Sequence, residues 1–246
     1  MKIVFLGTNG WYDTDTGNTL SILIETKKEY IVLDAGNGIH KLDRYVKKNK
    51  PIHLFLSHYH IDHISGLHTL LKFRFRQGMR IFGPPGLHRF FRTVINSPYT
   101  APLRRLHMKT SLTQLGKGTA LPVRAEYRKL LHSSRCYGYR FALEGRIVTF
   151  CTDTGMCHNL KRLAKGADLF IAECSFKRGQ VNRRWQHLNP ETAAKTARDA
   201  GAKRLALVHF DASRYTRIAD RNASEKYAKR FFSRTVAARD GMTLYL

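Results

Sequence analysis

In the stretch Ser57-His58-Tyr59-His60-Ile61-Asp62-His63, three histidines and an aspartate occupy six consecutive positions, directly after the apolar run Leu54-Phe55-Leu56. A strand that ends by delivering three imidazoles within a few residues builds no core. Neutral imidazole is the commonest protein ligand for zinc-like metals, and aspartate adds a hard oxygen that bridges or tunes them. A polar turn satisfied by water would explain one histidine, but not three with an aspartate at this spacing.

Further apolar runs end on a candidate ligand: Leu131 precedes His132, Thr152 precedes Asp153, and Val208 precedes His209. Strand ends in layered α/β folds hold side chains more rigidly than loops alone can. Zinc takes three or four protein ligands and keeps a position for water, so residues 58–63 cannot saturate two ions unaided. A consistent division places His58, His60 and His132 on one metal, and Asp62, His63 and His209 on a second. Asp153 then bridges the pair. Two metals roughly 3.5–4 Å apart activate water and clamp both oxygens of an in-line displacement, which suits phosphodiester hydrolysis. Zinc is the first expectation, and manganese and iron suit the same donors.

The elements that must position these groups alternate along the chain, predicting an α/β fold. Strands are expected at residues 3–6, 19–25, 30–33 and 53–57, the last ending at the histidine cluster, and a short one at 80–82. Helices are expected at 39–48, 65–76 and 87–95. The middle third, 110–152, reads mostly as strand, with a hairpin joining 136–143 to 147–151 through Glu144-Gly145-Arg146. A buried strand at 167–172 follows. Asn189 caps a helix with Pro190 in its first turn that runs to Gly201. A strand at 205–208, a last helix capped by Asn222 and a strand at 242–246 complete the pattern. No repeat or linker interrupts it, so residues 1–246 read as a single domain.

Hydrophobic residues make up 43% of the chain, enough for a sizeable core, yet 43 Lys+Arg against 18 Asp+Glu leave a net charge of +25. Such an excess favours polyanions, by steering and by counterion release. The basic residues concentrate at 74–92, 104–109, 177–184 and 214–234. Cys136, Cys151, Cys157 and Cys174 form no C-x-x-C pair, which argues against a zinc site built from cysteine and for a reduced compartment. No apolar run has the length of an export signal's core or a membrane span. The expectation is a soluble, cytoplasmic protein with no membrane partner.

His58-Tyr59-His60-Ile61-Asp62-His63 resembles the HxHxDH signature of the metallo-β-lactamase superfamily, and the flanking motifs resemble its ribonuclease Z (tRNA 3′-endonuclease) branch. Leu6-Gly7-Thr8, Val32-Leu33-Asp34-Ala35-Gly36 and Phe82-Gly83-Pro84-Pro85-Gly86-Leu87 match in order. So do Gly138-Tyr139-Arg140 after His132, Asp153-Thr154, Ala167-Asp168-Leu169, and Glu173-Cys174-Ser175-Phe176. His187 before an alanine-rich helix and Leu207-Val208-His209-Phe210 complete the series, which covers essentially the whole chain. The resemblance implies an αββα four-layer sandwich carrying two divalent metal ions at one edge of its sheets, and a homodimer. It makes Asp62 a metal ligand and general base. His187, oriented by Glu173, becomes the proton donor to the leaving oxygen, and Asp34 a carboxylate that orients a ligating imidazole.

Two features depart from that branch. Its enzymes usually carry a long arm that grips the tRNA elbow, inserted between the third histidine motif and the bridging aspartate. Here only 20 residues separate His132 from Asp153, and the hairpin fills them. The branch's His-Phe-Ser-x-Arg-Tyr appears as His209-Phe210-Asp211-Ala212-Ser213-Arg214-Tyr215, one residue longer. The expected function is therefore a metal-dependent phosphodiesterase or endoribonuclease acting on RNA. The alternatives are a phosphodiesterase for cyclic nucleotides or other small diesters, as in armless relatives, and a nucleic-acid-binding protein that keeps the site without using it. Lactamase chemistry, which usually goes with secretion, is the least expected.

Overall fold

The computed structural model describes residues 1–182 and 184–246; Arg183, within the basic run 177–184, lies outside the described residues. Seven strands form one sheet in the order Thr243–Tyr245, Lys2–Gly7, Ser21–Glu25, Tyr30–Leu33, Ile52–Phe55, Met79–Gly83, Thr110–Gln114. Its first four strands pair antiparallel and the rest parallel. A second sheet runs Thr235–Ala237, Leu205–Val208, Leu169–Glu173, Arg146–Cys151, Tyr137–Leu143, Ala125–Lys129; its first four strands are parallel and its last two antiparallel.

The apolar runs are continuous because the central strands are buried on both faces. Ile31 and Leu33 point inward with Ile3, Phe5, Phe55 and Phe82, and meet Tyr139, Phe141, Phe150, Ile171 and Val208 of the opposite sheet. Tyr30 and Val32, one residue out of phase, face outward with Leu54 and Ile81 onto Ile39, Leu42, Leu67, Leu70 and Phe90. On the far side Phe170, Ala172, Leu205 and Leu207 pack under Leu160, Leu163, Ala193 and Ala197. The result is the four-layer αββα sandwich that the resemblance implies, and the α/β class that the alternation of elements anticipates.

Several elements differ from expectation. The amphipathic stretch 39–48 forms a 3₁₀ helix, Asn37–Arg44, in which Gly38 lies so close to Gly7 that a Cβ there would sit 2.5 Å from the Gly7 nitrogen. Residues 65–76 likewise give a 3₁₀ helix, Ser65–Lys72, preceded by a single α-turn, Ile61–Ile64. The segment 110–152 is divided between the sheets: Thr110–Gln114 ends the first, and the second begins at Ala125–Lys129. His132 follows the end of Ala125–Lys129 by three residues, in a bend. Asn189 does cap Pro190–Asp199, accepting from the Thr192 amide at 2.9 Å. Asn222 caps nothing: its helix, Ile218–Ala228, begins four residues earlier, where the Arg217 amide donates to Asp220 Oδ2 at 3.1 Å. No helix among the described residues is long and apolar enough to cross a membrane.

Candidate metal centre

Strand exits deliver most of the site. Tyr30–Leu33 ends at Asp34, Ile52–Phe55 leads to Ser57 and His58, Arg146–Cys151 leads to Asp153, and Leu205–Val208 ends at His209. Asp34, Asp153 and His209 all take up positive φ (56°, 48° and 54°). Asp and His tolerate the left-handed region better than most side chains, yet each such residue costs on the order of 1–3 kcal/mol. The strain turns the chain sharply, bringing the Asp153 and His209 side chains together and setting Asp34 behind the His63 ring.

There the donor atoms form two groups. His58, His60, His132 and Asp153 present atoms within 4.8 Å of one another, and so do Asp62, His63 and His209. Asp153 faces both trios. Its Oδ1 lies 3.2 Å from Nε2 of His63 and of His209, and its Oδ2 lies 3.7 Å from Nε2 of His58 and of His132. His187 also comes within reach of Asp153 and His209. The structure thus gathers all seven residues expected to hold metal.

A network of hydrogen bonds fixes the rings. Asp34 accepts from the Ser57 amide at 2.6 Å and from Ser57 Oγ at 2.7 Å, and its Oδ2 stands 2.7 Å from His63 Nδ1. Ser57 Oγ also meets His58 Nδ1 at 2.9 Å. Ser175, whose importance was not visible in the sequence, plays the same part opposite: its hydroxyl bonds Glu173 Oε2 at 2.7 Å and His209 Nδ1 at 2.9 Å. Glu173, fully buried, meets His187 Nδ1 at 2.9 Å. With each Nδ1 so engaged, the Nε2 atoms of His58, His63 and His209 are left for the centre, the usual arrangement around a bound metal.

Electrostatics agree with a cation site. Burial holds the imidazoles of His58 and His60 below their usual range and that of His132 at about 4, so this trio is neutral and able to ligate. Burial also opposes charge on His63, but the carboxylates of Asp153, Asp62 and Asp34 outweigh it and push that group up. Asp62 and Asp153 are held well down despite burial, by the imidazoles around them. His58 Nε2 is buried with no hydrogen-bond partner, and such an atom is costly unless something coordinates it. The residues present fit a pair of divalent ions.

A cavity of about 690 Å³ opens onto the centre and is lined by Trp11, Tyr59, His60, Ile61, Asp62, Phe176, Trp185, His187 and Arg214, among others. The two-residue strand Asn9–Gly10, paired with Phe210–Asp211, closes one side. Gly10 lies against the His209 ring, where a Cβ would come within 2.6 Å. Of the histidines outside the cluster, His40, His53, His68, His88, His107 and His158, none takes part. His187 and Glu173 meet as anticipated; Trp11, Trp185, Ser175 and Gly10 carried no signal strong enough to single them out.

A four-layer αββα sandwich with such a centre at the edge of its sheets defines a metallo-hydrolase. The chain belongs to the beta-lactamase superfamily: that family's domain matches residues 29–210. The chain is similar to the ribonuclease Z of Bacillus licheniformis, 29% identical over 306 residues and spanning 98% of this chain and 97% of that one. It is also similar to the probable metallo-hydrolase YhfI of Bacillus subtilis, 28% identical over 220 residues and covering 85% and 87%. The crystal structure of YhfI superposes with a TM-score of 0.80 at 23% identity over 99% and 98% of the two chains. That of the short form of human tRNase Z gives 0.77 at 22% over 100% and 99%.

Proposed function

We propose that the protein is a dinuclear metal-dependent phosphodiesterase that acts on RNA. The observation that carries the reading is Asp153, whose two oxygens face two separate histidine-containing trios. In this reading His58, His60 and His132 would hold one ion and Asp62, His63 and His209 the other, with Asp153 available to both. Two divalent ions there, zinc or else manganese or iron, would activate a water and neutralise charge on the phosphate. The chain's own groups move the protons. Asp62, kept ionised and fixed by the Trp11 amide at 2.7 Å, accepts a proton from the attacking water. As water adds to phosphorus and the bond to the leaving oxygen breaks, His187 donates a proton to that oxygen. Glu173 holds its Nδ1, leaving Nε2 for the cavity.

The net charge of +25 supports RNA over a small substrate, as do the relatives named ribonuclease Z. A small-diester phosphodiesterase is the second reading. It is favoured by compactness: the alignment to the Bacillus licheniformis enzyme runs over 306 positions against a chain of 246, so about 60 positions of the relative have no counterpart here. We further read residues 1–246 as one domain, since the central core draws on both sheets, and place it in the cytoplasm on its four unpaired thiols.

Cleavage of pre-tRNA and of unstructured RNA should be compared with hydrolysis of bis(p-nitrophenyl) phosphate across a salt series. RNA cleavage at low salt that fades as salt rises, with diester hydrolysis little changed, is the expected result. Diester hydrolysis without RNA cleavage at any salt would establish the small-substrate reading instead.

A further inference from the structure

We propose that Trp11 and Trp185 clamp an unpaired nucleobase beside the scissile phosphate, so that the substrate presents a single-stranded nucleotide rather than a duplex or a base-free diester. This rests on the phosphodiester reading and narrows its substrate class. The chain has only two tryptophans, and both line the cavity over the metal centre. They come from segments far apart in sequence, and their side chains are exposed, Trp11 at 65% and Trp185 at 51%. Ile61, 69% exposed, joins them on the cavity wall. A strongly basic protein thus keeps its two indoles open to solvent at the one place where its metal ligands converge.

Both tryptophans are held through their backbones. Trp11 sits at φ 75°, a strained backbone for a bulky side chain, held there by its amide bond to Asp62 and by Gly10 and Asp211 pairing beside it. Its ring meets Tyr12 edge-on at 5.2 Å. The Trp185 amide donates to Asn182 Oδ1 at 3.0 Å. Its ring lies parallel to His60 within 9° at 6.5 Å, and edge-on to His132 at 6.2 Å. The indole plane thus runs parallel to the imidazole of His60, one of the first trio. A base stacked on it brings its own phosphate toward those same residues, and base–aromatic stacking is indifferent to which base it is.

Isothermal titration calorimetry reads both affinities in every variant, and quenching of the only two indoles in the native protein reports the contact itself. The metal-loaded protein would be titrated with adenosine 5′-monophosphate and with ribose 5-phosphate. The nucleotide should quench the emission and bind roughly five- to a hundredfold more tightly, the range for one base on an aromatic face. Trp185→Ala should erase most of that preference at unchanged metal content and unchanged ribose 5-phosphate affinity, and Trp185→Phe should restore much of it. Equal affinity of the two ligands in the native protein would overturn the clamp while leaving the phosphodiester reading intact, as would a preference that survives the Trp11→Ala, Trp185→Ala double substitution. If neither phosphate compound binds, the clamp is overturned, whereas the phosphodiester reading stands or falls on hydrolysis of bis(p-nitrophenyl) phosphate.

Discussion

His187 shows how one side chain can carry a testable chemical role. Burial disfavours its imidazolium, but the Glu173 carboxylate alongside more than reverses this and lifts the group to about 9. A proton donor with that value is charged through neutral pH and loses its proton as pH rises through about 9. Turnover should fall over that interval. His187→Ala should slow catalysis by roughly 10²–10⁴, the usual worth of a general acid, and abolish the alkaline limb at unchanged metal content. Glu173→Gln should move the limb toward the ordinary histidine value of 6.5. Metal lost along with His187 would instead make it a ligand, as its proximity to Asp153 and His209 would allow. At this scale the sequence was informative where chemistry is dense. Three histidines and an aspartate in six positions have few other uses, whereas Ser57 and Ser175 belong to a residue type found everywhere on protein surfaces. Only their position between a carboxylate and an imidazole distinguishes them, and that depends on chain segments up to 34 residues apart.

At the scale of elements, the two-residue strand Asn9–Gly10 forms one wall of the centre. A methyl at Gly10 would press on the His209 ring, so Gly10→Ala should displace that ligand and lower metal affinity by about tenfold or more, while the fold, held by three separate cores, survives. Metal titration followed by circular dichroism would separate the two effects. His53, in the strand leading to the cluster, offers a test free of the metal. Burial and then the nearby Arg80 hold its imidazole at about 4, below the 6.5 of an unfolded chain. The unfolded chain takes up the proton first, so stability is unaffected above pH 6.5 and is lost as pH falls from there toward 4. After allowance for partial solvent screening the loss is on the order of 2 kcal/mol. His53→Leu should flatten that decline in urea midpoints measured against pH, and at pH 7 be neutral or mildly stabilising, since His53 Nδ1 is buried without a partner. The strands were largely legible because burial on both faces writes continuous apolar runs. The 3₁₀ helices were not, because apolar spacing alone does not separate a three-residue turn from an α-helical one. Asn222 misled for another reason: an asparagine is a good cap, but Arg217 and Asp220 had already started the helix.

For the whole molecule the deciding quantity is charge, and here the relevant surface lies next to the centre rather than in it. Beyond Phe176, which lines the central cavity, Lys177 and Arg178 join Lys226, Tyr227 and Arg230 around a groove of about 380 Å³. Arg178 lies 4.2 Å and Arg230 5.7 Å from the centre of the Tyr227 ring, so two guanidinium groups converge on one aromatic ring. If RNA leaves the centre along this groove, each phosphate contacted there releases condensed counterions. Binding of a single strand then weakens with salt by about 0.7 in log K per tenfold increase for every contact. Replacing Arg178 and Arg230 together by alanine should lower that slope by roughly 1.4 and weaken binding at low salt uniformly across sequences. Neither side chain lines the central cavity, so hydrolysis of bis(p-nitrophenyl) phosphate should be unaffected. A slope unchanged by the double substitution would put the RNA elsewhere on the basic surface. The same loss in diester hydrolysis as in RNA binding would mean that these arginines support the fold of the site, since a phosphate contact far from the reacting atoms cannot slow the turnover of a substrate that never reaches it.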